Sequence, residues 1–269
     1  MDRSMEISLI ISYYKNIPNL RLILKGLAQQ SCQDFEVIVS EDDNNPETAK
    51  FLDEMRQEYK FTIQHLHQQV DNGFRKNEML NKSVQAAKGK TIVFIDGDCV
   101  PHPHFIEAYV RYTEPNKILQ GRRVMLDEKT SKEALEKVSL KKLNYWKLLF
   151  TKSRKLKEGL YLKYFTLAID KKGLLGCNWG IQKQELFKVN GFDEDYVQPG
   201  AGEDVDIEWR LKGAGMTTKL MKNKAIVYHL HHKRSYQEKV VLNNLSMMEQ
   251  KQQANQIKCL NGIKKLSMV

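Results

Sequence analysis

The chain predicts an α/β fold with a mostly parallel central sheet flanked by helices, on three observations. Residues 6–96 alternate short runs rich in Ile, Val and Phe with amphipathic stretches, in the order strand, helix, strand, helix, strand, helix, strand. Acidic and aromatic residues gather where those apolar runs end. No internal repeat or low-complexity tract breaks the pattern.

Glu6–Ser12 reads as the first strand and ends at Tyr13-Tyr14-Lys15-Asn16. A helix follows, with Leu20, Ile23, Leu24 and Leu27 at helical spacing, and stops near Gln30-Ser31. Phe35–Ser40 is the second strand, and Glu41-Asp42-Asp43-Asn44-Asn45-Pro46 is its loop. Pro46 suits the first turn of a helix running from Glu47 to about Tyr59. Phe61–Leu66 is the third strand, Asp71-Asn72-Gly73 a turn, and Phe74–Ala87 a helix that closes at Gly89. Thr91–Ile95 is a buried fourth strand, followed at once by Asp96-Gly97-Asp98.

In an open α/β sheet, ligands bind beyond the carboxyl ends of the strands. Tyr13 and Tyr14, Glu41 and Asp42, and Asp96 and Asp98 should therefore open onto one edge. Acidic groups there repel a polyanion unless a divalent cation bridges them to phosphate. Gly97 lets the backbone turn so that both aspartates converge, although Asp-Gly is also an ordinary turn dipeptide.

The 269 residues allow one large domain or two small ones. Hydrophobic content of 41% with 28% charged residues is that of a globular chain. Met1–Ile7 carries no apolar leader, and no apolar run approaches the ~18 residues that span a bilayer. Cys32, Cys99, Cys177 and Cys259 are scattered, with neither metal-type spacing nor a disulfide framework, which suits a cytoplasmic protein.

The net charge of +10 is concentrated. Residues 137–172 hold 11 Lys and Arg against Glu158 and Asp170, a surplus of nine. Leu140, Leu143, Trp146 and Phe150 fall on one helical stripe there, with lysines beside it. A basic amphipathic helix carrying Trp and Phe reads as a membrane-surface element, on the inner face if the protein is peripheral. Each basic residue near an anionic leaflet contributes about 1 kcal/mol. The segment has little Gly or Arg interleaving and no nucleic-acid motif, which argues against nucleic acid as partner. The tail from Gln237 to Val269 reads as helical.

Taken together, these segments resemble an inverting family-2 glycosyltransferase with the GT-A nucleotide-diphospho-sugar transferase fold. Ile7–Asn16 resembles the family's opening strand and loop, and Phe35–Thr48 its paired acidic segment, with Glu41 and Asp42 in the acidic positions. Gly73-Phe74-Arg75-Lys76-Asn77 and Ala86-Ala87-Lys88-Gly89 resemble the approach to the Asp-x-Asp strand, and Asp96-Gly97-Asp98 the motif itself. Gly176-Cys177-Asn178-Trp179-Gly180, Gly191-Phe192-Asp193-Glu194 and Gly202-Glu203-Asp204-Val205-Asp206 are similar to the acceptor side of the galactosyl- and N-acetylgalactosaminyltransferase-like branch, which includes polysaccharide polymerases. Asp43 and Pro46 depart from the family's usual glycine and aspartate.

The resemblance implies a GT-A domain over 1–232 with a basic helical insertion near 128–172, and a helical extension over 233–269. It implies that Asp98 ligates the metal and that Asp96 contacts metal or ribose. His229 would complete the shell, with His231 and His232 as rivals. Imidazole suits Mn²⁺ better than Mg²⁺. Asp204 would be the general base, although Asp at a helix start is also an ordinary cap. Glu41, Asp42, Arg75 and Asn77 would contact uracil or ribose, Tyr13 or Tyr14 would stack on the base, and Gly97 would belong to the same donor-binding set. Trp179, Gly202 and Glu203 fall on the acceptor side. The expected reaction is metal-dependent, inverting transfer from a UDP-sugar to a hydroxyl of a glycan or lipid-linked saccharide in surface polysaccharide synthesis. Two alternatives are a sugar-nucleotidyltransferase, which would need a Gly-rich loop after the first strand, and a non-catalytic nucleotide-sugar binder at a membrane surface.

Overall fold

The computed structural model describes residues 5–166, 173–200, 203–233 and 238–267. The first half runs β1 (Ile7–Tyr13), α1 (Ile17–Ala28), β2 (Phe35–Glu41), α2 (Pro46–Glu58), β3 (Ile63–His67), α3 (Lys76–Ala86) and β4 (Thr91–Asp96). After it come β5 (Cys99–Pro101), α4 (Phe105–Tyr112), β6 (Lys117–Gln120), β7 (Arg122–Met125), α5 (Glu128–Glu136) and the one-turn α6 (Tyr145–Leu148). The chain ends with β8 (Asn178–Gln182), α7 (Lys183–Lys188), α8 (Glu203–Gly213), β9 (Thr217–Leu220), β10 (Ile226–His229) and α9 (Glu238–Gln253).

The large sheet has the order β3-β2-β1-β4-β8-β6-β9 and is parallel except where β8 runs against β4 and β6. This is the mostly parallel, helix-flanked α/β sheet expected from the sequence. β1 lies between β2 and β4 and is buried on both faces, which is why Ile7-Ser8-Leu9-Ile10-Ile11 does not alternate. One face packs on Leu20, Ile23 and Leu27 of α1. The other packs on Leu80 and Val84 of α3 together with Trp179 and Phe192. A small second sheet, β5-β10-β7, stands beyond the tip of β4.

Local chemistry sets the element ends. The Asn16 side chain accepts from Asn19 N at 3.1 Å, with Pro18 in the first turn of α1. Asn45 does the same for α2 ahead of Pro46. α3 starts at Lys76 rather than Phe74, because the Arg75 N–H is taken by the Asp42 carboxylate at 2.9 and 3.1 Å.

The expected amphipathic helix over 140–150 is not formed. Only Tyr145–Leu148 is helical, because Asn144 in the middle of the stripe caps a new turn by accepting from Lys147 N. Leu143 and Leu148 are buried, whereas Trp146 and Phe150 point outward. The tail is helical only through α9. Beyond it, Ile257 and Ile263 pack against the core cluster that contains Trp179. All four cysteines are free thiols, and no helix among the described residues is long and apolar enough to cross a membrane.

Candidate active site

The tips of β1 and β4 lie side by side, Ser12 opposite Asp96. Gly97 N donates to Ser12 O at 2.7 Å, and a Cβ at this position would lie 2.9 Å from that oxygen. Only glycine lets the chain turn there, and the turn sends Asp98 toward the small sheet. In that sheet β10 pairs with β5, placing His229 opposite Cys99, and Leu230 N donates to Asp98 O at 2.8 Å.

This pairing brings two imidazoles to one carboxylate. His229 Nε2 lies 3.3 Å and His232 Nε2 3.0 Å from Asp98 Oδ2. The donor atoms of the three residues all lie within 4.8 Å of one another. Hydrogen bonding to the Asp98 carboxylate pushes His232 up to about 9. Burial pulls His229 down despite the same carboxylate. Burial opposes the ionised form of Asp98, but the two histidines outweigh it and hold the carboxyl below its ordinary range. The third candidate, His231, lies with Pro18, Ser131 and Leu135 on the α1/α5 surface, its N–H on Ser131 Oγ.

Lys76 Nζ lies 3.3 Å from Asp96 Oδ1. The Asp96 charge bears on His229, His232 and Asp204 alike. Asp204 lies in the first turn of α8, and its Oδ2 accepts from Gly176 N at 2.9 Å. A Cβ on Gly176 would come within 2.1 Å of Asp204 Oδ1, so this glycine makes the seat for the carboxylate. One turn on, Glu208 Oε2 accepts from Leu174 N at 2.9 Å, so α8 holds the strand-entry loop by two carboxylates on one face. Burial pushes the Asp204 carboxyl up and Asp96 pushes it further, while Lys76, the Gly176 N–H and Arg123 oppose the shift.

The nucleotide-side candidates divide by burial. Tyr14 is 57% exposed with Lys15 over its ring, and Arg75 is half-buried, its Nη1 donating to Phe74 O. Asp42 orders the loop through Gln68 Nε2 at 2.8 Å and Arg75 N. Tyr13 and Glu41 are buried beneath that loop, and His65 Nε2 lies 2.7 Å from Glu41 Oε2. Asn77 is buried and donates to Asp193 O at 2.7 Å, tying α3 to the 193–195 loop.

Trp179 corrects an expectation. It is 1% exposed and stacks on Phe94 at 4.5 Å, its neighbour across β4 and β8, so no ring face is open to a sugar. Its position in an apolar strand was the available signal for core. Gly202 and the side chain of Glu203 lie outside the described residues.

Two cations at the site went unnoticed in the sequence. Lys76 opens α3 between the two residues singled out there. Arg123 sits on β7 with Nη1 3.2 Å from Cys177 Sγ and a buried Nε that has no hydrogen-bond partner among the described residues. Arg122-Arg123 inside a strand is the signal for it, since a half-buried arginine needs anionic company.

Comparison with known proteins bears on the family and the fold. The profile described as "Glycosyltransferase like family 2" matches residues 5–246. Chondroitin synthase of Escherichia coli is 24% identical over 252 residues, 83% of this chain and 34% of that protein. An uncharacterized glycosyltransferase of Bacillus subtilis strain 168, YfnE, is 25% identical over 263 residues, 84% of this chain and 65% of that one. The chain thus spans between about a third and two thirds of the length of these relatives. Among solved structures, GalNAc-T7 with UDP, GalNAc and Mn²⁺ superposes with a TM-score of 0.65 at 13% identity, covering 93% of this chain and 48% of that one.

Proposed function

Since the chain belongs to glycosyltransferase-like family 2 and has the GT-A fold, we propose that it transfers a sugar from a UDP-linked donor to a glycan or lipid-linked hydroxyl, with inversion and with a divalent cation. The observation that supports the reading is the convergence of Asp98, His229 and His232 at the tip of β4, with Asp96 of the same turn in electrostatic range of both histidines and of Asp204. The resemblance to chondroitin synthase favours a saccharide acceptor and a role in surface polysaccharide synthesis.

The donor set fits a borderline cation such as Mn²⁺. One carboxylate and two imidazoles converge, their donor atoms within 4.8 Å of one another. When bound, such a cation would act as a Lewis acid on the leaving diphosphate. Lys76, already beside Asp96, would place a further positive charge near the diphosphate. Asp204, fixed by the Gly176 N–H, takes the acceptor's proton as the acceptor oxygen bonds to the anomeric carbon. The bond from that carbon to the diphosphate oxygen breaks with its electron pair, and UDP departs. Arg75, Asp42 and the exposed Tyr14 ring would border the uridine.

The test is Asp204→Asn assayed on a panel of UDP-sugars with Mn²⁺. Transfer should fall by about 10²- to 10⁴-fold while UDP binding persists. A wild-type chain that binds UDP yet turns over no nucleotide-sugar, with or without acceptor, overturns the reading in favour of a binding protein.

A further inference from the structure

We propose that the exposed face of residues 141–157 docks the protein onto an anionic lipid bilayer. Phe150 is 91% and Trp146 70% exposed, and Leu149 stands beside them on the same turn. Seven Lys and Arg lie between 141 and 157, all exposed, with no acidic residue until the buried Glu158. The aromatic residues project from a one-turn helix instead of lining a groove, which suits insertion among headgroups better than a protein partner. Trp at such a boundary keeps its ring in the apolar layer and its N–H in the wet one. Lys142 pairs with Glu133 of α5, and the surplus of positive charge along 141–157 complements a leaflet of anionic lipid.

The base of this face is rigid. Leu143 and Leu148 are buried in the main core, and Met125 and Arg154 exchange backbone hydrogen bonds at 3.0 and 2.8 Å. The segment follows α5 and is pinned back at Arg154 to Met125 at the end of β7, the strand that carries Arg123. Docking there fixes the active site at a set distance from the bilayer. That use, delivery to a lipid-linked acceptor on the cytoplasmic face, rests on the transferase reading, whereas the binding itself does not.

The full chain is floated with phosphatidylglycerol vesicles and with phosphatidylcholine vesicles, and Trp emission is recorded. Binding to the first but not the second, with a blue shift, is expected. Both the pair Trp146→Ser with Phe150→Ser and the pair Lys147→Glu with Lys152→Glu should weaken binding by at least about tenfold. All four sites are exposed, so melting temperature and donor hydrolysis should stay as in wild type. No flotation with anionic vesicles, or flotation unchanged in both variants, overturns the proposal. So does a lipid-free dimer that the Trp146→Ser, Phe150→Ser pair dissociates, since a second copy would then cover the face. Vesicle binding by a chain without transfer activity leaves docking intact and removes only the transferase reading.

Discussion

Two titrating residues carry opposite consequences for pH. His232 is held up to about 9 by the Asp98 carboxylate, against an ordinary 6.5. In the cation-free chain the stability it contributes is full below about pH 6.5 and is lost as pH rises through about 9. A cation must displace that proton, so its apparent affinity should rise across the same window with release of up to one proton. Calorimetry of Mn²⁺ binding in buffers of different ionisation enthalpy measures the release, and His232→Ala should abolish it. Asp204 is shifted the other way in effect. Burial and Asp96 raise its carboxyl above 3.8, so with Asp204 as the proposed base transfer should be lost as pH falls through that raised value, which a pH–rate profile measures. The fold disfavours its charge, so Asp204→Asn should melt no lower than wild type at neutral pH while losing activity, which separates catalysis from stability.

Among the elements, α8 carries Asp204, the proposed base. Asp204 and Glu208 hold the backbone of 174–176, and Asp206 with Arg210, 1% exposed each, fastens the helix to Val189 O and Gly191 O. Gly176→Ala should push the Asp204 carboxylate off its seat and cost about 10²-fold in kcat, with UDP affinity retained. Steady-state rates beside a UDP titration check this. The strands and helices of the first half were legible because burial on both faces leaves uninterrupted apolar runs, and because Asn16, Asn45 and Pro46 announce the caps. The 140–150 helix was misread because its apolar spacing is helical while Asn144 restarts the chain halfway. His232 and Arg123 could not be ranked from sequence, since the register of β10 between β5 and β7 decides which side chains converge.

Across the whole molecule, the C-terminal segment acts as a brace. Lys251 Nζ lies 2.5 Å from Asp193 Oδ2 and 2.6 Å from Asp195 Oδ2, and Asp193 is buried. The same 190–194 loop holds α3 through Asn77 and Asn81, and α3 carries Lys76. Lys251→Met leaves the Asp193 carboxyl without its cation and should lower stability by about 3–5 kcal/mol, read by chemical denaturation. That brace and β10 share one consequence for biosynthesis. Asp98 is made early, but both imidazoles that meet it arrive on β10 and just beyond, which must slip between two strands already laid down. A nascent chain whose β10 has not yet emerged therefore carries the aspartate without its histidines, and the proposed cation site is completed only when that last strand takes its place.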